Sequence, residues 1–302
     1  MIYVITHDYS LTRFLFTGLD GVEAILIPIL PKRVPFFVRC IKYIARKIGL
    51  LYGIMGMQKN LEKKIKKIKD KDVIFYIGET PSTCYILSKS CNKCKRKIAF
   101  FWNSCTTIKN CEEKIKKMRK LNFVVASFDK KDAQKYNLIF INQFYRIQDN
   151  FKNLGEPQID NDFFFCGMDK GRKDVLQKMQ KLLSSLGHCK FIIPDVNDAV
   201  PYLDYLELLK KSRVLCDVTQ KNQSGLTLRI LESLFFSKKI ITNNESVKEY
   251  DFYAPNNILI YTSHTTREDV QSFLMKPYEK VDDNILARYE VTNVLNSIVK
   301  AF

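Results

Sequence analysis

Two short segments of this 302-residue chain combine glycine, basic and hydroxyl residues at a spacing that suits an anionic ligand. In the first, the apolar run Phe163-Phe164-Phe165-Cys166 leads into Gly167, Lys170, Gly171 and Arg172 before a helical pattern begins. Glycine lets a backbone approach a ligand closely, and a Lys and an Arg at the mouth of a helix suit a diphosphate. In the second, Ser224, Gly225, Leu226 and Thr227 open a helical pattern that carries Arg229 and Glu232. The first N–H groups of a helix have no intrahelical acceptor and lie at the positive end of its dipole, so such a start holds phosphate without a charged side chain. Arg229 lies one turn beyond Gly225 on the same face. Glu232 can share a face with Arg229, where a carboxylate suits the hydroxyls of a ribose. Each segment alone also fits a plainer reading: a strand-to-helix turn with solvated basic residues, and a capped helix with an Arg–Glu pair.

The elements around these residues follow from hydrophobic pattern. Residues 1–5, 22–27, 73–77, 97–101, 123–126 and 138–141 read as short buried strands. Residues 36–55, 58–69 and 110–120 read as helices, and Pro81 opens another because proline is tolerated in a first turn. A polar stretch with Gly and Pro, residues 148–161, marks a boundary. Beyond it the alternation restarts. Strands are expected at 163–166, 189–193, 214–218, 239–242 and 258–261, and helices at 173–183, 202–210, 227–236 and 283–301. Strands alternating with helices indicate α/β units with parallel sheets, whose ligands bind at the carboxyl ends of the strands.

Taken together, the two segments make the chain similar to the GT-B class of nucleotide-sugar glycosyltransferases, and most of all to the small bacterial enzymes that build lipopolysaccharide and capsule. The resemblance spans the chain in architecture. In detail it rests on FFFCGMDKGR (163–172), YLELLKKSRVLCDV (205–218) and QSGLTLRILESLFFSKKIITNN (223–244), the last being the most specific. It implies two Rossmann-like domains facing across a cleft. Residues 1–150 would bind the acceptor, 151–285 the donor, and a helix in 286–302 would pack back on the first domain. Lys170 and Arg172 would neutralise the donor diphosphate, and Gly167 would admit it. Ser224, Gly225, Leu226 and Thr227 would offer backbone donors, Glu232 would bind the ribose, and Arg229 would orient Glu232 or the phosphates. The donor, UDP- or GDP-linked, is a substrate; no cofactor and no metal are implied. Retaining members often carry two Glu seven residues apart, but here Gly225 stands seven residues before Glu232. An inverting enzyme needs a general base for the acceptor hydroxyl. His7, Asp8, Asp20 and Glu79 are read as following strands, with Asp8 and Glu79 foremost and His7 orienting Asp8 or acting itself. Each also fits the plainer reading of a cap or turn residue.

Charge narrows the partners. The chain has 49 Lys and Arg against 32 Asp and Glu, a net of +17. Residues 1–155 hold 30 basic and 12 acidic residues and residues 156–302 hold 19 and 20, so the surplus lies in the first half. That half is expected to face something anionic. Residues 32–71 alone carry 13 basic and two acidic residues, interleaved with Phe36, Phe37, Ile41, Ile44, Ile48, Leu50 and Leu51. Basic and apolar residues together suit an anionic membrane surface and a glycan or lipid-linked acceptor, more than nucleic acid, for which the chain shows no binding motif. The alternatives are a sugar-nucleotide epimerase-like enzyme, which binds the same donor without an acceptor, and a basic nucleic-acid-binding protein.

No apolar run reaches the length of a transmembrane helix, and the N-terminus lacks a secretory pattern. Nine cysteines are then read as reduced thiols in a cytoplasmic protein, peripheral on the inner face of the membrane. Cys91 and Cys94 form a C-x-x-C without a second ligand pair for zinc. Asp160-Asn161-Asp162 is read as linker, and no Walker or G-x-G-x-x-G loop follows a strand.

Overall fold

The computed structural model describes residues 1–29, 34–56, 58–148, 158–195 and 198–301. The chain divides into two compact units, Met1–Ile141 with Leu295–Phe302, and Asn142–Val294. Most of the expected boundary segment, residues 149–157, lies outside the described residues, as do Lys32 and Arg33 of the basic stretch.

The first unit is built on a six-stranded sheet of β1 (Ile2–His7), β2 (Val22–Ile27), β3 (Val73–Ile77), β4 (Arg96–Phe101), β5 (Val124–Ser127) and β6 (Ile139–Phe140). Their order is β2-β1-β3-β4-β5-β6, all parallel. Strand β3 is buried along its whole length, as a central parallel strand covered on both faces must be. Its core takes in Ile5, Ile74, Tyr76, Phe101 and, from helix Pro81–Ser90, Cys84, Ile86 and Leu87. Cys91 and Cys94 belong to this core as well; their thiols face the carbonyls of Ile65 and Asp72 at 3.5 and 3.4 Å. Successive connections leave β1 in opposite directions, so the sheet's switch point lies between the carboxyl ends of β1 and β3.

The second unit holds β7 (Asn161–Cys166), β8 (Cys189–Ile192), β9 (Ser212–Asp217), β10 (Lys239–Thr242) and β11 (Ile258–Ile260) in the order β11-β10-β9-β7-β8, again parallel. Phe163 and Phe165 of β7 are fully buried with Met179, Val214 and Ile241. Here the switch point lies between the carboxyl ends of β7 and β9.

Several elements differ from the pattern-based reading. The single helix expected over 36–55 is two, Phe36–Ile48 and Tyr52–Met55. Gly49 ends the first with a left-handed φ of +80°, a conformation glycine adopts without penalty. The expected helix 283–301 is likewise two, Asp283–Ala287 and Val291–Ala301. Asp160-Asn161-Asp162 is not linker: Asn161 begins β7, Asp160 pairs with Lys211 at 3.4 Å, and the Asp162 carboxylate accepts the His188 N–H at 2.9 Å. Helices Ser10–Phe16, Lys130–Tyr136 and Arg267–Met275 had no apolar run long enough to announce them.

Candidate functional site

In the second unit, residues of the two segments meet at the switch point. Arg172 and Arg229 both lie over the ring of Phe165, their guanidinium carbons 5.2 and 4.5 Å from its centroid. Arg172 is held by backbone: Nε and Nη2 donate to the Met168 carbonyl at 3.3 and 3.0 Å, and Nη1 donates to the Val218 carbonyl. This ties the turn after β7 to the end of β9. Arg229 donates to the Cys166 carbonyl at 2.8 Å and pairs with Asp217 at 3.0 Å. The other Asp217 oxygen accepts the Thr242 hydroxyl at 2.9 Å, so the ends of β9 and β10 hold the carboxylate that aims Arg229. Burial and the charge of Arg229 push the Arg172 pKa down to about 10, which leaves it charged at neutral pH.

Gly167 is required by this packing. A Cβ there would overlap the Arg229 guanidinium and lie 3.1 Å from that of Arg172. Lys170 and Gly171 form the turn itself, with φ of +48° and +77°, and Lys170 is exposed.

Helix Leu228–Phe235 begins beside these groups, with Thr227 as its N-cap. Ser224 and Leu226 are buried, and the loop is pinned by its backbone: Asn244 and Gln223 each donate to the Gly225 carbonyl at 3.2 Å. Among the described residues, two polar groups at this start are buried with no hydrogen-bond partner, the Thr227 hydroxyl and the Arg229 Nε. Native proteins leave few such groups, and each calls for an explanation.

Glu232 is placed differently from the ribose ligand that the resemblance implies. It is 2 % exposed, its Oε1 is 2.7 Å from the Tyr202 hydroxyl, and its Oε2 accepts the Tyr205 hydroxyl. Tyr202 in turn is 2.8 Å from the Tyr145 hydroxyl, and the Tyr202 and Tyr205 rings stack at 5.5 Å. Burial raises the Glu232 pKa against the opposing effect of the two phenols. Arg229 therefore orients on Asp217, not on Glu232.

In the first unit, His7, Asp8 and Glu79 all lie at the carboxyl ends of β1 and β3. Asp20 does not: it precedes β2, at the opposite end of the sheet. The Asp8 carboxylate is engaged by Arg13 through bonds of 2.5 and 2.7 Å. Glu79 accepts from Asn103, which follows β4, at 2.6 Å. Burial, then Arg46, lower the His7 pKa, and Glu79 partly offsets them, so the imidazole is neutral at physiological pH. Trp102, between β4 and Asn103, packs edge-on to Phe16 at 6.4 Å. Asp217, Tyr202, Tyr205 and Arg46 were not singled out from sequence. The strand-terminal position of Asp217 was the one available signal.

No protein-family model and no curated protein matches the sequence. Solved structures do. Anabaena Alr3699/HepE in complex with UDP matches at 10 % identity over 99 % of this chain and 98 % of its own, with a TM-score of 0.51. An alpha-glucosyltransferase in complex with UDP and a 13-mer DNA matches at 11 % identity over 99 % of both chains, with a TM-score of 0.57. At such identities the likeness is one of fold, and with the two parallel sheets it establishes that the chain has the two Rossmann-like domains of the GT-B glycosyltransferase fold.

Proposed function

We propose that the protein transfers a sugar from a nucleotide-diphosphate donor to a membrane-linked glycan acceptor. The observation that carries this is the pair of unsatisfied groups, Thr227 Oγ1 and Arg229 Nε, beside a helix start at the switch point of the second unit. A donor phosphate supplies acceptor oxygens for both and offsets the second guanidinium, which Asp217 alone does not balance. Negative charge on the leaving diphosphate grows as the glycosidic bond breaks. Donors fixed in advance by Asp217, Val218 and Met168 then stabilise the transition state more than the ground state. In this reading the two arginines and the helix start, with Ser224 and Gly225, supply the positive potential, without a metal ion. Lys170, exposed on its turn, is a further phosphate contact. Glu232 holds the tyrosine cluster behind the donor helix. On the acceptor side His7, kept neutral, is the base for the acceptor hydroxyl, with Glu79 beside it.

The solved structures of similar fold that hold UDP support the nucleotide-sugar reading. The acceptor reading is supported by the basic and apolar stretch 32–71, on the cytoplasmic face of a membrane. A second reading has its own support. One of those structures is a glucosyltransferase holding DNA, and the first half of this chain is strongly basic, so a DNA acceptor is the alternative.

The test is donor binding and hydrolysis with purified protein and a panel of UDP- and GDP-sugars, followed by transfer to lipid-linked glycan or to duplex DNA. Binding of one nucleotide that Arg229→Gln weakens is expected. No binding by any donor, or equal binding by the variant, overturns the proposal.

A further inference from the structure

Helix Phe36–Ile48 is turned the opposite way from an ordinary surface helix. Phe37, Ile41, Ile44 and Ile48 form one stripe and are 64, 47, 56 and 52 % exposed, with Phe36 and Tyr43 beside them at 81 and 62 %. The face turned inward carries cations instead. Lys42 is only 7 % exposed, and Arg46, one turn on, is half-buried. Both pack against the small residues of the next segment: Arg46 Nε donates to the Gly53 carbonyl at 2.9 Å, and the Lys42 ammonium lies 4.0 Å from where a Gly56 Cβ would stand.

Arg46 thus has one carbonyl. Lys42 has no hydrogen bond and no ion pair among the described residues. An ammonium withdrawn from water without a counter-charge is destabilising. Burial and Arg46 lower its pKa, and no carboxylate opposes them. The charge of Arg46 acts on His7, at the carboxyl end of β1. Over residues 32–71 only Glu62 and Asp70 are acidic. Glu62 lies in helix Lys59–Lys66, and Asp70 accepts the N–H of Lys71 at 2.8 Å.

We propose that Lys42 and Arg46 form an anion subsite for the phosphate of an amphiphilic acceptor, a lipid phosphate or diphosphate, on the inner side of a helix whose outer face meets the bilayer. The two faces explain each other. An outward stripe of large apolar side chains is covered by hydrocarbon, and the exposed Lys47 and Lys89 at the end of the helix favour an anionic surface. Such a surface delivers an acceptor whose head group is anionic and whose chain stays in the lipid. The inward cations then receive that head group beside His7. This rests on the reading of the first unit as the acceptor side of a transferase, and it names the acceptor's chemistry.

The experiment uses the full chain, with farnesyl diphosphate as a short soluble amphiphile, inorganic pyrophosphate as the bare anion and farnesol as the uncharged chain. Binding is titrated with UDP in excess to occupy the donor side. Wild type is expected to bind farnesyl diphosphate and farnesol in that order. Lys42→Met should weaken farnesyl diphosphate and pyrophosphate at least tenfold, leave UDP affinity unchanged, and leave Tm equal or higher because a lone buried charge is gone. Phe37→Ser with Ile44→Ser should weaken farnesyl diphosphate while sparing pyrophosphate. Unchanged farnesyl diphosphate binding in Lys42→Met overturns the subsite. So does a fall in its Tm with anion affinity intact, because Lys42 then serves only the packing of Gly56. Loss of UDP binding in wild type, with Lys42-dependent binding of farnesyl diphosphate retained, overturns the transferase reading and leaves the anion subsite standing.

Discussion

At the scale of single residues, the second unit makes Arg229 and Glu232 play roles that their spacing does not reveal. Arg229 is aimed by Asp217 and the Cys166 carbonyl, with its Nε left over. Replacing it with Gln removes charge-assisted bonds worth about 1.5–3 kcal/mol, so nucleotide affinity should fall about 10–100-fold, read by calorimetry. Gly167→Ala should copy that loss without touching any charge, because its Cβ displaces the same guanidinium. Glu232 predicts a stability effect instead. Its carboxyl is raised above its ordinary value of 4.5, so the folded state holds the proton longer than the unfolded chain does. The stability it contributes is complete below that ordinary value and is lost as pH rises through the folded pKa. Glu232→Gln should remove this pH dependence and keep a Tm near wild type at pH 7. Glu232→Ala removes the acceptor of the Tyr205 hydroxyl, while Tyr202 keeps Tyr145, and should cost about 1–3 kcal/mol for the group left unsatisfied. Thermal melts of the three proteins between pH 4 and 8 separate these outcomes. His7 gives a kinetic counterpart. Its pKa is lowered, so the acid limb of the pH–rate profile should fall below the ordinary 6.5, and His7→Gln should slow transfer about 10²–10⁴-fold.

At the scale of elements, glycine decides how the unusual helix is seated. A Cβ on Gly53 would stand 2.8 Å from the Arg46 backbone nitrogen, and backbone cannot rotate away as a side chain can. Gly53→Ala should therefore push the Tyr52–Met55 segment off helix Phe36–Ile48, at about 1–3 kcal/mol for overpacking, seen as a lower urea midpoint. The parallel strands were legible because burial on both faces leaves continuous apolar runs, such as Val73–Ile77 and Phe163–Cys166. The break at Gly49 was not, since the apolar pattern runs across it and a left-handed cap depends on local geometry. Nor was the direction in which helix Phe36–Ile48 faces: its period is that of any amphipathic helix, and pattern alone does not say which stripe turns inward. The cluster of Gly167, Arg172 and Arg229 was legible, because each lies in a short segment at the end of a strand. The bonding of Glu232 was not legible, because its partners, Tyr202 and Tyr205, come from another helix at a distance no short motif encodes.

At the scale of the whole molecule, the two halves should respond to salt in different ways. The first 155 residues carry a net charge of +18, and much of it lies on exposed lysines. Exposed charges are screened beyond a Debye length, which falls from about 10 Å at 0.1 M to about 3 Å at 1 M. Attraction to anionic vesicles should therefore weaken steeply with added salt, and the apolar contribution of Phe36, Phe37, Ile41 and Ile44 should persist. In the proposed donor site, nucleotide binding would rest on Arg229, whose side chain is 15 % exposed and already paired with the fully buried Asp217, and on helix-start N–H groups. Screening reaches these far less. Co-sedimentation with phosphatidylglycerol vesicles and UDP titration, each run from 50 to 500 mM NaCl, should give a steep slope for the first and a shallow one for the second. Duplex DNA in place of vesicles would show the still steeper dependence of counterion release. Tight DNA binding that Phe37→Ser with Ile44→Ser leaves unaltered would transfer the role of the basic half from lipid to nucleic acid.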